Sequence, residues 1–251
     1  MRVISVCLQK GGTGKTSVAI SLSAELARKS RVVLIETDPQ GNASSTLLKS
    51  LQYELCDVLR GKCFLKDAIQ KTSVENLFVL PTAAISDGNG LRLYRETEAI
   101  RELNIFEDVR EELEKLGFDY CVFDTSPAFA TFEENIYTAT DEMIAVLQPD
   151  KYSQDGLETF ITSLKDFRRR RMHKQELPVL NTIVMNNVNH SMSITNAILD
   201  ILSNQKTFNI IEIPQDQAFK RAQMNGTVVH NAEPKSETLE SISKLADLVR
   251  G

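Results

Sequence analysis

The residues with the clearest chemical potential lie in one run, Gln9-Lys10-Gly11-Gly12-Thr13-Gly14-Lys15-Thr16. Gly11, Gly12 and Gly14 let a backbone curl until successive amide N–H groups face one point, and a helix opening directly afterwards adds its positive end. Such a loop receives the oxygens of a polyphosphate. Lys15 is then placed to reach the β- and γ-phosphates of a nucleoside triphosphate, and the Thr16 hydroxyl to ligate Mg²⁺. The expected contacts of the loop run from Lys10 through Gly11, Gly12, Thr13, Gly14, Lys15 and Thr16 to Ser17. The run departs from the common phosphate-loop pattern, whose first glycine would fall at Gln9, but its chemistry survives the mismatch. Lys10 lies on the wrong side of the glycines to repeat the work of Lys15. It has two readings: a cation stabilising a γ-phosphate held by a neighbouring subunit, as an arginine finger does, or an exposed lysine near a strand end.

Two carboxylates stand where such a loop needs them. Asp38, in Glu36-Thr37-Asp38-Pro39-Gln40-Gly41-Asn42, follows an apolar run, and a carboxylate at the C-terminal edge of a parallel strand faces the crevice where ligands bind. It can orient or deprotonate an attacking water, or hold a water on Mg²⁺; it can equally be the turn residue that commonly precedes a proline. Asp124 ends the apolar run Tyr120-Cys121-Val122-Phe123-Asp124, ahead of Thr125-Ser126-Pro127, and would hold Mg²⁺ directly or through water. The segment after it is expected to act as a switch that senses the γ-phosphate.

These groups need a scaffold of strands and helices in alternation, and the rest of the chain supplies one. Apolar runs at 3–8, 32–37, 77–80, 120–124, 143–147, 179–185 and 209–213 read as strands covered on both faces. Helical patterns fall at 14–29, 91–116 (broken near Asn104), 157–174, 193–203 and 237–249. The fold expected is α/β: a single phosphate-loop NTPase domain over 1–251, with a mostly parallel twisted sheet of about 7–8 strands and helices on both faces. No linker, repeat or low-complexity segment divides the chain.

Composition removes several classes of function. The 251 residues are 42% hydrophobic and 25% charged, and 29 Lys+Arg against 34 Asp+Glu leave a net charge of −5. A chain of that charge is no general polycation, so any DNA contact must come from a local patch. No apolar run reaches the ~20 residues that span a bilayer, and no signal peptide is legible at the N-terminus. The four cysteines (Cys7, Cys56, Cys63, Cys121) form no CxxC pair and no metal-ligand spacing, which suits a reducing, cytoplasmic compartment.

Lys10-Gly11-Gly12-Thr13-Gly14-Lys15-Thr16 resembles the deviant Walker A motif of the ParA/MinD class of P-loop ATPases, nearest to the ParA/Soj partition type. Asp38-Pro39-Gln40-Gly41-Asn42 resembles the second motif of that class, and the strand ending at Asp124 its Walker B. Ser126 stands where relatives often carry a proline, and Glu36 where many carry a second aspartate. The likeness continues through residues 148–157, Ile213-Pro214 and Gly226. It implies Lys10 as the signature lysine acting across an ATP-sandwiched homodimer, and Asp38 as catalytic. By the same likeness Asn186, Pro214, Gln215 and Asp216 are the candidates to cradle adenine.

The resemblance also implies ATP, ADP and Mg²⁺ as ligands, non-specific DNA binding by the ATP dimer, and weak hydrolysis stimulated by a ParB-like centromere-binding partner. The protein would then be cytoplasmic, and nucleoid-associated when ATP-bound. The DNA candidates are Arg168, Arg169, Arg170 and Arg171, followed by His173 and Lys174, together with Lys220 and Arg221 in a short helix after Ile213-Pro214. Four consecutive arginines spray around a helix rather than forming a stripe, so a solvated helix end is the competing reading. The last helix sets Leu239, Ile242, Leu245, Ala246 and Val249 against a face of mixed charge, which reads as core packing and excludes a cationic membrane helix. No helix-turn-helix extension precedes the first strand. Two rival functions remain: an ATPase of the same class that positions a protein cargo, and an ATP-dependent biosynthetic amide synthetase of the same fold.

Overall fold

A strand that is apolar at successive positions presents apolar groups to both faces of its sheet, and needs cover on both. The computed structural model describes residues 1–84, 90–97, 104–170, 177–204 and 207–251. Among them are eight strands: β1 (Arg2–Cys7), β2 (Val32–Glu36), β3 (Gln70–Lys71), β4 (Leu77–Leu80), β5 (Tyr120–Asp124), β6 (Glu142–Leu147), β7 (Val179–Val188) and β8 (Asn209–Pro214). They form one sheet in the order β3-β4-β2-β5-β1-β6-β7-β8, parallel throughout except for the antiparallel pair β3–β4. In β2, Val33 and Ile35 enter one apolar cluster while Val32 and Leu34 enter the other. In β5, Cys121 and Phe123 go one way and Val122 the other.

The helices divide accordingly. They are α1 (Lys15–Ala27), α2 (Asn42–Leu47), α3 (Leu55–Leu59), α4 (Leu65–Ala68), α5 (Gly90–Thr97), α6 (Ile105–Lys115), α7 (Thr131–Thr138), α8 (Lys151–Arg170), α9 (Ser193–Asn204), α10 (Ala218–Met224) and α11 (Ser236–Arg250). Helices α1 and α11 cover one face through Val18, Leu22, Leu26, Leu245, Ala246 and Val249. Helices α6 to α9 cover the other, with Phe106, Phe132, Phe160 and Ile198 among their inward side chains. Ile242, Leu245, Ala246 and Val249 of α11 are buried, as core packing requires, while Leu239 stays at the rim.

All seven expected strands are present, within three residues at each end. The eighth, β3, is two polar residues, Gln70 and Lys71, paired antiparallel at the sheet edge, and carries no apolar run to read. The expected helix over 91–116 is α5 and α6; α6 starts after Asn104, which sits at φ 73° as its N-cap, and residues 98–103 lie outside those described. Helix α8 begins at Lys151, six residues before the expected 157, because Asp150 caps it by accepting the Ser153 amide at 2.8 Å. The expected end of that helix at 174 lies outside the described residues. The short helices α2, α3, α4 and α7 were not expected; their caps explain two of them. The amides of Ala43 and Ser44 at the start of α2 donate to Glu36, and the Ala130 amide before α7 donates to Glu133 at 3.1 Å.

Strand β1 lies between β5 and β6, where the chain order of the sheet reverses, and the C-terminal ends of β1, β2 and β5 open on one crevice. In open α/β sheets that crevice is where ligands bind.

Candidate functional site

The glycine-rich loop joins β1 to α1 with its carbonyls turned into the protein. Lys15 Nζ donates to the Lys10 carbonyl at 2.7 Å, Gln148 Nε2 to the Gly12 carbonyl at 3.0 Å, and Asn186 Nδ2 to the Thr13 carbonyl at 2.9 Å. With those oxygens engaged, the amides are left to the crevice, and no side chain caps the first turn of α1. Gly14 is required twice over: its φ is +95°, and a Cβ there would stand 2.1 Å from Asn186 Nδ2. Gly41, in the loop after β2, has φ +66° and would set a Cβ 2.9 Å from the Thr82 carbonyl oxygen and the Ala84 amide.

Lys15 is only 6% exposed. Burial pushes its ammonium below the ordinary lysine range, and Asp124 and Asp38 pull it back up. Asp124 is fully buried, and neither carboxylate oxygen has a hydrogen-bond partner. Burial raises it to about 7; the Thr16 hydroxyl and Lys15 act against the shift, and Asp38 adds to it. A buried carboxylate with both oxygens unpartnered, beside a hydroxyl and a second carboxylate, fits a hard cation. Among the described residues no three His, Cys, Asp or Glu side chains cluster as a metal cage. Mg²⁺ does not need one, since it is commonly held by one or two protein oxygens together with substrate phosphates and water. Thr16, Asp124 and Asp38 are the groups that would hold it.

Asp38 is half-buried and accepts the Gln40 amide on Oδ1 at 3.0 Å, so it does make the turn that its proline neighbour suggested. It also lines the crevice. Glu36 faces away, accepting the amides of Ala43 at 2.7 Å and Ser44 at 2.8 Å and the Ser44 hydroxyl. Burial, then the neighbouring Asp124, pushes it up to about 8. Its work is to fix the start of α2 and hence the loop that carries Asp38.

Together these elements bound a cleft of about 440 Å³, lined by Gly11 to Ser17, Ile20, Ser21, Asp38, Gln40, Asn42, Thr46 and Pro127, and closed at its far end by Phe219, Ala222, Gln223, Thr227 and Val229. The far end is the apolar part and suits a base. The adenine candidates Asn186 and Pro214 to Asp216 lie at the C-terminal ends of β7 and β8. Asn186 spends its amide on the Thr13 carbonyl beneath the loop. Pro214, Gln215 and Asp216 do not line the cleft; Asp216 instead accepts the amides of Ala218 and Lys235 and the Thr238 hydroxyl, joining α10 to α11. Phe219 and Ala222, three residues apart on α10, line the cleft and are not among the residues the sequence singles out. Gln148 was legible by the rule that singled out Asp38 and Asp124, since it too is polar at the end of an apolar strand.

Lys10 stands at the rim of this loop, 25% exposed, with Nζ 2.7 Å from Asp150 Oδ1 and 3.1 Å from Ser153 Oγ. The partnership holds the Asp150 carboxyl below its ordinary range despite partial burial. The exposed Tyr152 ring lies beside it, 5.6 Å from Nζ to the centroid. The basic candidates for DNA differ in their partners, and Arg169 and Arg170 keep 77% and 56% of their side chains exposed. Arg168 donates to the Pro178 carbonyl, Arg169 pairs with Asp166 at 3.2 Å and Arg170 with Glu134. Arg171, His173 and Lys174 lie outside the described residues. Arg221 donates to the carbonyls of Ala232 and Glu233, whereas Lys220 is exposed. No helix among the described residues is long and apolar enough to cross a membrane.

Residues 1–179 match a family described as an AAA domain. The chain is 27% identical to the virulence plasmid ParA family protein pGP5-D of Chlamydia psittaci over 252 residues, covering 98% of this chain and 93% of that one. It is 28% identical to the sporulation initiation inhibitor protein Soj of Bacillus subtilis over 236 residues, covering 91% of this chain and 83% of Soj. Among solved structures, apo McdA of Cyanothece superposes with a TM-score of 0.84 at 18% identity, over 100% of both chains. MinD of Pyrococcus horikoshii in complex with Mg-ADP gives 0.77 at 24%, over 99% of this chain and 95% of that one. Cobyrinic acid a,c-diamide synthase of Mycobacterium smegmatis with ADP and magnesium gives 0.78 at 22%, over 100% and 94%. These structures share the fold, and in two of them it holds a nucleotide with Mg²⁺. With the phosphate loop, the two strand-end carboxylates and the matching relatives in place, the chain belongs to the ParA/MinD class of P-loop ATPases.

Proposed function

We propose that this chain is a partition ATPase: with ATP and Mg²⁺ it forms a homodimer that encloses the nucleotides, the dimer holds DNA without sequence preference, and hydrolysis releases it. Hydrolysis is weak alone and is stimulated by a ParB-like centromere-binding partner, so that the nucleotide state times the life of the dimer on chromosomal or plasmid DNA. The protein is then cytoplasmic, and nucleoid-associated while ATP-bound. The observation that carries the reading is the convergence of Lys15, Thr16 and Asp38 on one cleft, with Asp124 buried beside them and Lys10 at the rim of the loop. The Chlamydia psittaci relative, named as a virulence plasmid ParA family protein and matched over nearly the whole chain, supports the DNA cargo.

In this mechanism the loop amides and Lys15 bind the β- and γ-phosphates, Phe219 and Ala222 flank the base, and Asp38 orients the attacking water and takes its proton. Lys10 leaves Asp150 and meets the γ-phosphate held by the second copy, where its charge offsets that developing in the transition state. Thr16, Asp38 and Asp124 hold Mg²⁺, which when bound neutralises charge on the phosphates.

The test is random-sequence duplex binding by Asp38→Ala with ATP or ADP across a salt series. The expected result is ATP-dependent binding whose log affinity falls with log salt at a slope of about −0.9 per phosphate neutralised. A variant that dimerises with ATP and ignores DNA overturns the DNA reading. In that case the second reading stands, in which the same dimer positions a protein cargo.

A further inference from the structure

The two loops that carry Asp38 and Asp124 stand between two hollows. The cleft described above lies on one side. On the other is a cavity of about 580 Å³ that shares Asp38, Gln40 and Pro127 with it, and is walled by Arg95, Ser126, Ala128, Ala130, Thr131 and Phe132 among others. The strand ends beneath them are already tied, since the Thr37 amide and hydroxyl both donate to the Asp124 carbonyl, at 3.0 and 2.8 Å. The segments beyond, 38–41 and 126–130, have open space on two sides and are not held by core packing alone. Arg95, on α5, spans them. Its Nη1 donates to the carbonyl of Thr37, the residue before Asp38, at 3.2 Å. Its Nη2 donates to the hydroxyl of Ser126, two residues after Asp124, at 3.1 Å, and pairs with the Glu133 carboxylate.

Glu133 is fully buried and closes the circuit: it accepts the Ser126 hydroxyl at 2.8 Å on one oxygen and the Ala130 amide at 3.1 Å on the other. The Arg95 side chain is only 13% exposed, and its guanidinium lies 5.0 Å from the centroid of the Phe132 ring. A planar fork of five donors can serve a carbonyl, a hydroxyl and a carboxylate at once; an ammonium on a flexible stem cannot do so at fixed spacing.

We infer that Arg95 is a positioning residue of the ATPase site: through Thr37 on one side and Ser126 with Glu133 on the other, its guanidinium fixes the loop of Asp38 relative to the segment that follows Asp124. The inference deepens the ATPase reading proposed above and names a residue outside its three sequence motifs. Arg95 touches neither carboxylate that would meet Mg²⁺ or water. Its effect is on the placement of the Asp38 loop against the segment after Asp124, and misplacing a group such as Asp38 by about an ångström can slow a reaction by about a hundredfold while binding contacts persist.

The test compares the full-length protein with Arg95→Lys, which keeps the charge and loses the fork. The Arg95→Gln/Glu133→Gln double variant, which leaves no buried charge unpaired, replaces it if Arg95→Lys does not fold. Backbone hydrogen exchange is read at residues 38–41 and 126–130, with residues 10–17 as internal reference. Exchange should rise in both loops together, by about ten-fold or more, with the reference changed by less than about two-fold. In ATP hydrolysis, KM should stay within about three-fold while kcat falls about ten-fold or more, and the Mg²⁺ concentration for half-maximal rate should rise. An increase confined to one loop, or spread over the whole chain, or a kcat loss no larger than the loss of folded protein, overturns the inference. If wild-type protein neither binds nor hydrolyses ATP, the ATPase proposal fails, and the exchange comparison alone decides whether Arg95 couples the loops.

Discussion

Replacing Gly14 by alanine probes how the phosphate loop is held in shape. The left-handed φ of +95° disfavours any residue with a Cβ by about 1–2 kcal/mol. The new Cβ, 2.1 Å from Asn186 Nδ2, also forces that amide aside. The 2.9 Å bond to the Thr13 carbonyl is then lost, at about 1–2 kcal/mol. A surface loop escapes both penalties by relaxing away from the shape that presents its amides, so the loss is read as nucleotide affinity rather than as unfolding. The sum, about 2–4 kcal/mol, is about a 30- to 900-fold rise in Kd. Asn186→Ala removes only the bond and should weaken ATP by about 5- to 30-fold. The Gly14→Ala/Asn186→Ala double variant should bind about as Gly14→Ala does, because the displaced bond can be lost only once. Calorimetric titration with ATP and with GTP, both with Mg²⁺, measures all three. Asn186→Ala should weaken the two nucleotides alike, since it holds the loop and not the base. Gly14→Ala within two-fold of wild type, full additivity in the double variant, or a loss in Asn186→Ala specific to ATP would refute this reasoning.

Three further expectations follow from the same site. Lys15→Ala removes both the ammonium and its brace on the Lys10 carbonyl, and ATP affinity should fall about a hundredfold or more; wild-type affinity would rule out the loop as a phosphate site. Phe219→Ala, at the far end of the cleft, should weaken ATP several-fold while leaving inorganic tripolyphosphate unchanged, and equal losses would move the base elsewhere. Asp124 at about 7 and Glu36 at about 8 hold protons more tightly folded than unfolded, so their contribution to stability is complete below about pH 4 and is lost as pH rises through those values. His230, lowered chiefly by burial, changes stability in the opposite sense, so the comparison is with Asp124→Asn: the Tm of nucleotide-free wild type should fall more steeply between about pH 6 and 8.5 than that of the variant. Parallel curves would contradict the burial of an unpartnered Asp124 carboxylate.

The parts legible in the sequence were those whose physics is local. Runs of Val and Ile located the strands because burial on both faces demands them, and the glycines, lysine and threonine after β1 announced a phosphate loop because few other uses require that spacing. Asp38 and Asp124 were legible because strand ends in a parallel sheet face the ligand crevice. What escaped depends on contacts distant in sequence. Asn186 lies 173 residues from the carbonyl it serves, and no pattern around it distinguishes bracing the loop from touching a base. Glu36 starts α2 by accepting amides seven and eight residues onward, beyond the reach of any local capping rule. Arg95 sits in a charged stretch with nothing in the local pattern to single it out, and only the fold brings it between Thr37 and Ser126. The arginine run shows another limit of composition: Arg168 bonds the Pro178 carbonyl, while Arg169 and Arg170, paired with Asp166 and Glu134, stay exposed at the helix end.

The proposed mechanism turns on Lys10 leaving Asp150, 2.7 Å away, to act on the nucleotide of a second copy. Sedimentation velocity with ATP and Mg²⁺ on Asp38→Ala and on Lys10→Ala/Asp38→Ala tests that step most directly, with nucleotide binding to both variants measured in parallel. Asp38→Ala should sediment at twice the 28.1 kDa of the chain with ATP and as a monomer with ADP, and removal of Lys10 should return it to monomer while ATP still binds. An ATP-bound Asp38→Ala that stays monomeric, or a dimer that persists without Lys10, would contradict the mechanism.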